Sequence, residues 1–243
     1  MSAAYLLINL GVISVPLLFS WHPKWSFAKS WGAFWPACIL VLIPFIAWDV
    51  WFTDSGFWGF NPDYLLGPAL WGLPIEEWLF FICIPYSCVF TYFVLSRNGA
   101  QSGPFHKAIL WILLILVSAT VLLNGDGMYT LVTGIGAILF ILWLMVQGPT
   151  WLPAFFKSLL ILIIPFVLTN GILTGIQFWT YPLLNSDPAS IADSIVWYNN
   201  TENLGIRLFS IPLDDFYYAF LLIGLNITLF EGFRSKTRAL SQS

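Results

Sequence analysis

Charge is scarce in this chain: only 9% of its 243 residues are Asp, Glu, Lys or Arg, against roughly 25% in a typical soluble domain. A solvated globular fold and a basic nucleic-acid-binding face are both excluded by that shortage. Cysteine is also rare. Cys38, Cys83 and Cys88 fall inside apolar stretches without CxxC spacing, which argues against a disulfide framework or a zinc site. The two histidines, His22 and His106, lie in separate loops beside basic residues and do not make a ligand set. No GxGxxG follows a strand pattern, and the chain leaves no room for a nucleotide-binding fold. Asp214 and Asp215 do not continue into DDxxD, nor does "NGD" at Asn124 to Asp126 continue into NDxxD, so a magnesium-diphosphate prenyltransferase would lack its ligands. No cofactor or metal is implied. No basic residue precedes the first apolar run; it lacks the charged leader of a cleavable signal peptide and reads as a membrane span.

What is present in abundance is apolar sequence, 59% of all positions. Apolar runs near the roughly 20 residues that cross a bilayer as a helix occur at about 3–20, 32–52, 75–96, 107–123, 128–147, 153–173 and 213–233. The expected fold is an all-α integral membrane protein with seven transmembrane helices. Eight of the nine basic residues (Lys24, Lys29, Arg97, Lys107, Lys157, Arg234, Lys236 and Arg238) then lie on one side, which the positive-inside rule assigns to the cytoplasm. The N-terminus is expected outside and the C-terminus inside. Arg207 is the exception, and either pairs with an acid or snorkels to headgroups. The acids do the reverse, and only Glu231 dissents. Acidic residues contribute little to insertion, so this second asymmetry points to function.

An internal repeat organises the acids. Aligning residues 61–81 with 199–219 matches Asn61 with Asn199, Gly67 with Gly205, Pro74 with Pro212, and the pair Glu76 and Glu77 with Asp214 and Asp215. Upstream, "IPFIAWD" (Ile43 to Asp49) matches "IPFVLTN" (Ile164 to Asn170). The chain therefore reads as two parallel three-helix repeats, 1–97 and 128–243, joined by one helix within 98–127. A proline before the first turn and acids within it suit a helix N-terminus, which would make both acidic pairs simple helix starters. Two pairs at matched positions, at the edge of the membrane, favour a functional role. Adjacent helical residues point about 100° apart, so one acid of each pair should face the bundle and the other a neighbouring element.

"PIEEWLFF" (Pro74 to Phe81), "PLDDFYYAF" (Pro212 to Phe220), "PFIAWD" in the second span and the Asn, Gly and Pro loop before each acidic pair resemble the membrane-bound lycopene cyclases of the heterodimeric type, in a fused single-chain form. The resemblance covers essentially the whole chain. It implies a cofactor-independent isomerisation that closes the ends of lycopene into rings, giving gamma-carotene and beta-carotene, in a bacterial cytoplasmic membrane. The partners are lycopene and lipid, with association with other carotenoid enzymes left open. An epsilon-ring or longer-carotenoid cyclase and a proton-coupled transporter are the alternatives.

Cyclisation needs an acid, a pocket that tolerates a carbocation, and a base. Removal from water disfavours an ionised carboxyl group and a second carboxyl adds to the effect, so one member of a cluster can hold a proton while another serves as base. The catalytic set implied is Glu76 or Glu77 as acid, Asp214 or Asp215 as partner, and Asp49 orienting or sharing the proton. The substrate-binding set is Trp48, Trp51, Trp71, Trp78, Phe80, Phe209, Phe216 and Tyr218, with Asn61 and Asn199. Aromatic faces attract cations by roughly 0.5 to 2 kcal/mol each, although an interfacial aromatic belt accounts for many of the same residues. Asn170 stands where the first repeat has Asp49, so the repeats are expected to contribute unequally.

Overall fold

The structure is a computed structural model that describes residues 3–97 and 104–240. Each expected span is a helix: α1 (Ala4–Phe19), α2 (Trp31–Asp54), α3 (Ile75–Ser96), α4 (Pro104–Asn124), α5 (Met128–Gln147), α6 (Leu152–Thr174) and α7 (Asp214–Leu240). The protein is an all-α, multi-pass membrane protein. Six helices are long and apolar enough to cross a membrane. The other, α1, has 16 residues, a rise of about 24 Å against a hydrocarbon layer of roughly 30 Å. The boundary drawn at residue 98 lies outside the described residues.

Helices α1, α2 and α3 correspond to α5, α6 and α7, and the two sets interlock. Within each repeat the first helix packs on the third, α1 on α3 and α5 on α7, while the second reaches across, α2 onto α7 and α6 onto α3. The main core cluster is apolar and shared by both repeats, with Phe34, Phe45, Phe81, Tyr86, Ile141, Phe155 and Phe230 in it. Helix α4 packs on α5 and leaves Trp111, Ile112, Ile115 and Leu116 exposed, the surface that lipid covers in a membrane span. At the basic end the dissenting acid is explained locally: Glu231 pairs with Arg234 at 2.8 Å and accepts a hydrogen bond from Tyr92 at 2.9 Å.

The connections at the acidic end, 55–74 and 175–213, carry short strands that the apolar pattern did not reveal. They are β1 (Trp58–Phe60), β2 (Ala69–Leu70), β3 (Leu73–Pro74), β4 (Leu184–Asn185), β5 (Val196–Tyr198), β6 (Arg207–Leu208) and β7 (Ile211–Pro212). Hairpins β2–β3 and β6–β7 are repeat equivalents, and their matched turn residues Trp71 and Phe209 both adopt left-handed backbone, at φ 54° and 56°. Side chains pay on the order of 1 kcal/mol for that geometry. Strands β1 and β5 come from different repeats and pair antiparallel, Trp58 with Tyr198, Gly59 with Trp197 and Phe60 with Val196. That register is its own mirror under the repeat alignment, so a pseudo-twofold axis passes between Gly59 and Trp197. The glycine is required there: a Cβ on residue 59 would lie 2.4 Å from the Trp197 ring.

Candidate active site

Both acidic pairs open their helices directly after the hairpins, and the four carboxyl groups are buried, none more than 7% exposed. Helix phase splits each pair in the same way. The first acids turn toward their own loops: Glu76 accepts a 2.6 Å hydrogen bond from the Leu66 amide, and Asp214 a 3.1 Å bond from the Leu204 amide, the matched residue. Thr130 adds a 2.6 Å bond to Asp214, and Asn9 of α1 holds the Glu76 carbonyl at 2.8 Å.

The second acids turn into the bundle. Glu77 accepts a short hydrogen bond from the Tyr5 hydroxyl of α1 and meets the carboxyl of Asp49 from α2. Two adjoining carboxyl groups can be bridged by one proton between their oxygens. The other side of Asp49 is held by the indole N–H of Trp58, at 2.6 Å. Asp215 is placed by the equivalent elements but sees donors only: Tyr129 of α5 at 2.6 Å, Asn170 of α6 at 2.6 Å and Tyr198 of β5 at 3.2 Å. Tyr129 is positioned by Glu202, whose carbonyl accepts from the Tyr129 amide at 2.8 Å and whose carboxylate accepts from the Met128 amide at 3.0 Å, a negative charge suited to that helix N-terminus.

Both acid centres line one cavity of about 410 Å³. Its cap is the β1–β5 ribbon, and a single cross-strand pair, Trp58 and Tyr198, reaches down to both centres. Burial, then the nearby Asp215, raises the Tyr198 hydroxyl well above its ordinary value of 10.0, so it remains a donor. The walls near the acids are aromatic: Tyr129 lies 5.1 Å from Trp58 and 5.9 Å from Tyr198, ring centre to ring centre. Phe80 and Tyr218, matched residues of the two repeats, also line the space. A larger hollow of about 800 Å³ at the basic end, bordered by Lys29, Arg97 and Arg234, contains none of the acid pairs.

The sequence-expected residues sort by place. Glu77, Asp49, Asp215, Phe80 and Tyr218 line the cavity; Glu76 and Asp214 do not, because the first acid of each pair anchors its loop. Trp48 packs behind Tyr218 at 5.0 Å. Trp51 and Trp71 are exposed, and Trp78 leans on Trp71 at 5.4 Å. Phe209 packs on Phe178 and Phe216 on Phe166. Asn61 and Asn199 cap turns: Asn61 accepts from the Asp63 amide, and Asn199 from Thr201. Arg207 is buried rather than snorkelling, and its guanidinium donates to the Ser210 carbonyl and to Asn200, both at 2.6 Å, with no direct ion pair among the described residues. Burial lowers its pKa below the ordinary arginine range, an effect opposed by Tyr198, Asp215 and Asp214. Tyr5 and Tyr129 were not foreseen. Extending the repeat alignment into the first helices, where "YLLIN" at Tyr5 parallels "YTLVT" at Tyr129, would have found them. Among the described residues no group of three or more His, Cys, Asp and Glu is placed to hold a metal ion.

Comparison with known proteins agrees with the duplicated architecture. A family model described as lycopene cyclase matches residues 2–95 and 126–233. Among curated proteins, the chain is 38% identical over 61 residues to a bifunctional lycopene cyclase/phytoene synthase of Podospora anserina, covering 24% of this chain and 10% of that protein. It is 27% identical over 140 residues to a protein of the same description from Aspergillus oryzae, covering 51% of this chain and 24% of that protein. The chain thus spans only a minor part of the length of these relatives. No solved structure matches it. With both matched segments falling on the two repeats and together covering most of its length, the chain belongs to the lycopene cyclase family.

Proposed function

We propose that the protein is a lycopene beta-cyclase that works by acid–base chemistry on the ends of a linear carotenoid, without redox change. The observation that carries this reading is the pairing, in one capped apolar cavity, of a proton-sharing carboxyl pair with a carboxylate held by three donors. The Glu77 and Asp49 pair is the proton source. Proton transfer to the terminal double bond leaves a tertiary cation, the neighbouring double bond attacks it to close the ring, and loss of an adjacent proton restores neutrality. Asp215 is the base, because hydrogen bonds donated to a carboxylate favour its ionised form. One proton enters and one leaves, so substrate and product are isomers. The acid and base sit in the same cavity, which lets the proton return.

Tyr5, Trp58, Tyr129, Tyr198 and Tyr218 surround the reacting end, each face worth roughly 0.5 to 2 kcal/mol toward a cation. The ribbon above them keeps out water that would trap the cation as an alcohol. Glu76 and Asp214 act indirectly, by fixing the loops that carry the ribbon. The positive-inside rule puts this acid end on the non-cytoplasmic side and the C-terminus in the cytoplasm. Expression in a lycopene-accumulating bacterial host with chromatography of the pigments tests the activity. Gamma- and beta-carotene are the expected products, and lycopene persisting beside folded membrane protein would refute the reading.

A further inference from the structure

The cavity does not obey the pseudo-symmetry of the acids that line it. On one side, α2 closes against α7 through Phe45, Trp48 and Tyr218, with ring centres 5.0 Å apart for Trp48 and Tyr218 and 5.2 Å for Phe45 and Tyr218. At the matched interface, between α6 and α3, the residue equivalent to Trp48 is Thr169, and it lines the cavity together with Phe80, the equivalent of Tyr218, instead of filling it; α6 borders α1 on its other flank. Gly11 and Val15 of α1 and Pro165 of α6 line the cavity and are also exposed on the bundle surface. These residues lie in the middle of their helices, not at the ends. The cavity therefore opens sideways, at the depth of the hydrocarbon layer, while the β1–β5 ribbon caps its acidic end.

We infer that the substrate enters from the lipid through this mouth between α1 and α6, one end of the polyene at a time. The inference rests on the cyclase reading above and adds to it a route and an order. The cavity, at about 410 Å³, lies low in the range of roughly 300–1,000 Å³ for pockets that enclose a small ligand. A rigid polyene about as long as the hydrocarbon layer is thick, roughly 30 Å, places one tip at the acids and leaves the remainder along the outer faces of α1 and α6. Both acid centres serve that one tip, so the protein has one active site assembled from two repeats. The second end is cyclised only after the first has withdrawn and the molecule has re-entered reversed. Monocyclic product must accumulate before bicyclic product.

Two substitutions test the mouth. Thr169→Trp installs on the open side the residue that closes the other, and Gly11→Trp does so from α1, where a new Cβ meets nothing within 4 Å and folding is expected to be undisturbed. Gly32→Trp, equally unobstructed but at the basic end of α2, is the control. Each protein, purified in lipid, is assayed for the lycopene it retains and for the initial rate of ring formation. Retention and rate should both fall at least about tenfold in the two mouth variants and stay at the wild-type level in Gly32→Trp. Wild-type retention and rate in folded Thr169→Trp and Gly11→Trp would overturn the entry route. Bicyclic product appearing without a monocyclic precursor under excess lycopene would overturn the single site. If wild-type protein retains lycopene without cyclising it and the mouth variants lose that retention, the route stands and the cyclase reading falls; if wild-type protein neither retains nor cyclises it, both fall.

Discussion

Asn170 donates a 2.6 Å hydrogen bond to Asp215 at the place where, in the other repeat, the carboxyl of Asp49 meets Glu77. An amide can donate to a carboxylate but has no acidic proton to lend, whereas two adjoining carboxyl groups can share one. In the proposed mechanism, the replacement of one residue separates two otherwise matched centres into a proton source and a proton acceptor.

Asp49→Asn is expected to remove the shared proton and lower ring formation at least about hundredfold, within the range of a general acid's contribution. The protein should remain folded, because the Asn oxygen still accepts from Trp58. Asn170→Asp is expected to lower the rate as well, by setting a second carboxyl beside the base. Initial rates in lipid, normalised to protein, decide both.

In this account Glu76 and Asp214 serve stability rather than chemistry. Glu76→Ala orphans the buried Leu66 amide at a cost of about 1–3 kcal/mol, so the thermal midpoint should fall while residual folded protein keeps its specific activity. Glu76→Gln retains an acceptor for that amide and should behave much like the wild type in both respects.

Tyr198 should act as a donor throughout the accessible pH range. Its hydroxyl is raised above 10.0 by burial first and by Asp215 second; a raised value keeps the neutral, proton-bearing form, so increasing pH to about 10 does not ionise it. Tyr198→Phe is accordingly expected to lower the rate without removing any limb of the pH–rate profile between about 6 and 10. A limb lost in the variant would assign that titration to Tyr198.

The ribbon over the cavity gives a product-based test. Gly59→Ala sets a methyl 2.4 Å from the Trp197 ring, and such overpacking costs about 1–3 kcal/mol. A displaced ribbon admits water, so hydroxylated carotenoid should appear beside the cyclic products. Trp197→Leu in the same chain makes room for the methyl and should restore the wild-type product pattern.

Much of this was legible in the sequence. The helices fall where the apolar runs lie, because nothing but a helix satisfies the backbone of an isolated apolar span. The matched "PIEEW" and "PLDDF" segments located both acid centres. The choice within each pair was not legible: it depends on helix phase, and the phase is set by the amides of Leu66 and Leu204, ten residues away. Tyr5 and Tyr129 are hard to match by sequence because the spacing between matched segments changes where the second loop, 175–213, is longer than the first, 55–74. The β1–β5 ribbon escapes a sequence reading because Trp58 pairs with Tyr198 and Phe60 with Val196 across repeats, a contact that no local pattern encodes. Trp51 and Trp71 are exposed and outside the cavity lining, a placement that the sequence does not distinguish because an interfacial belt and a cation-binding wall use the same side chains.

The most direct measurement is pigment analysis of Glu77→Gln beside Glu76→Gln in a lycopene-accumulating host, with membrane protein quantified in each. Adjacent in sequence, the two glutamates face different partners. Glu77→Gln should leave lycopene uncyclised at normal protein levels, while Glu76→Gln should still yield cyclic carotenoid. Cyclic product at wild-type rates from Glu77→Gln would contradict the assignment of the proton source to the Glu77 and Asp49 pair.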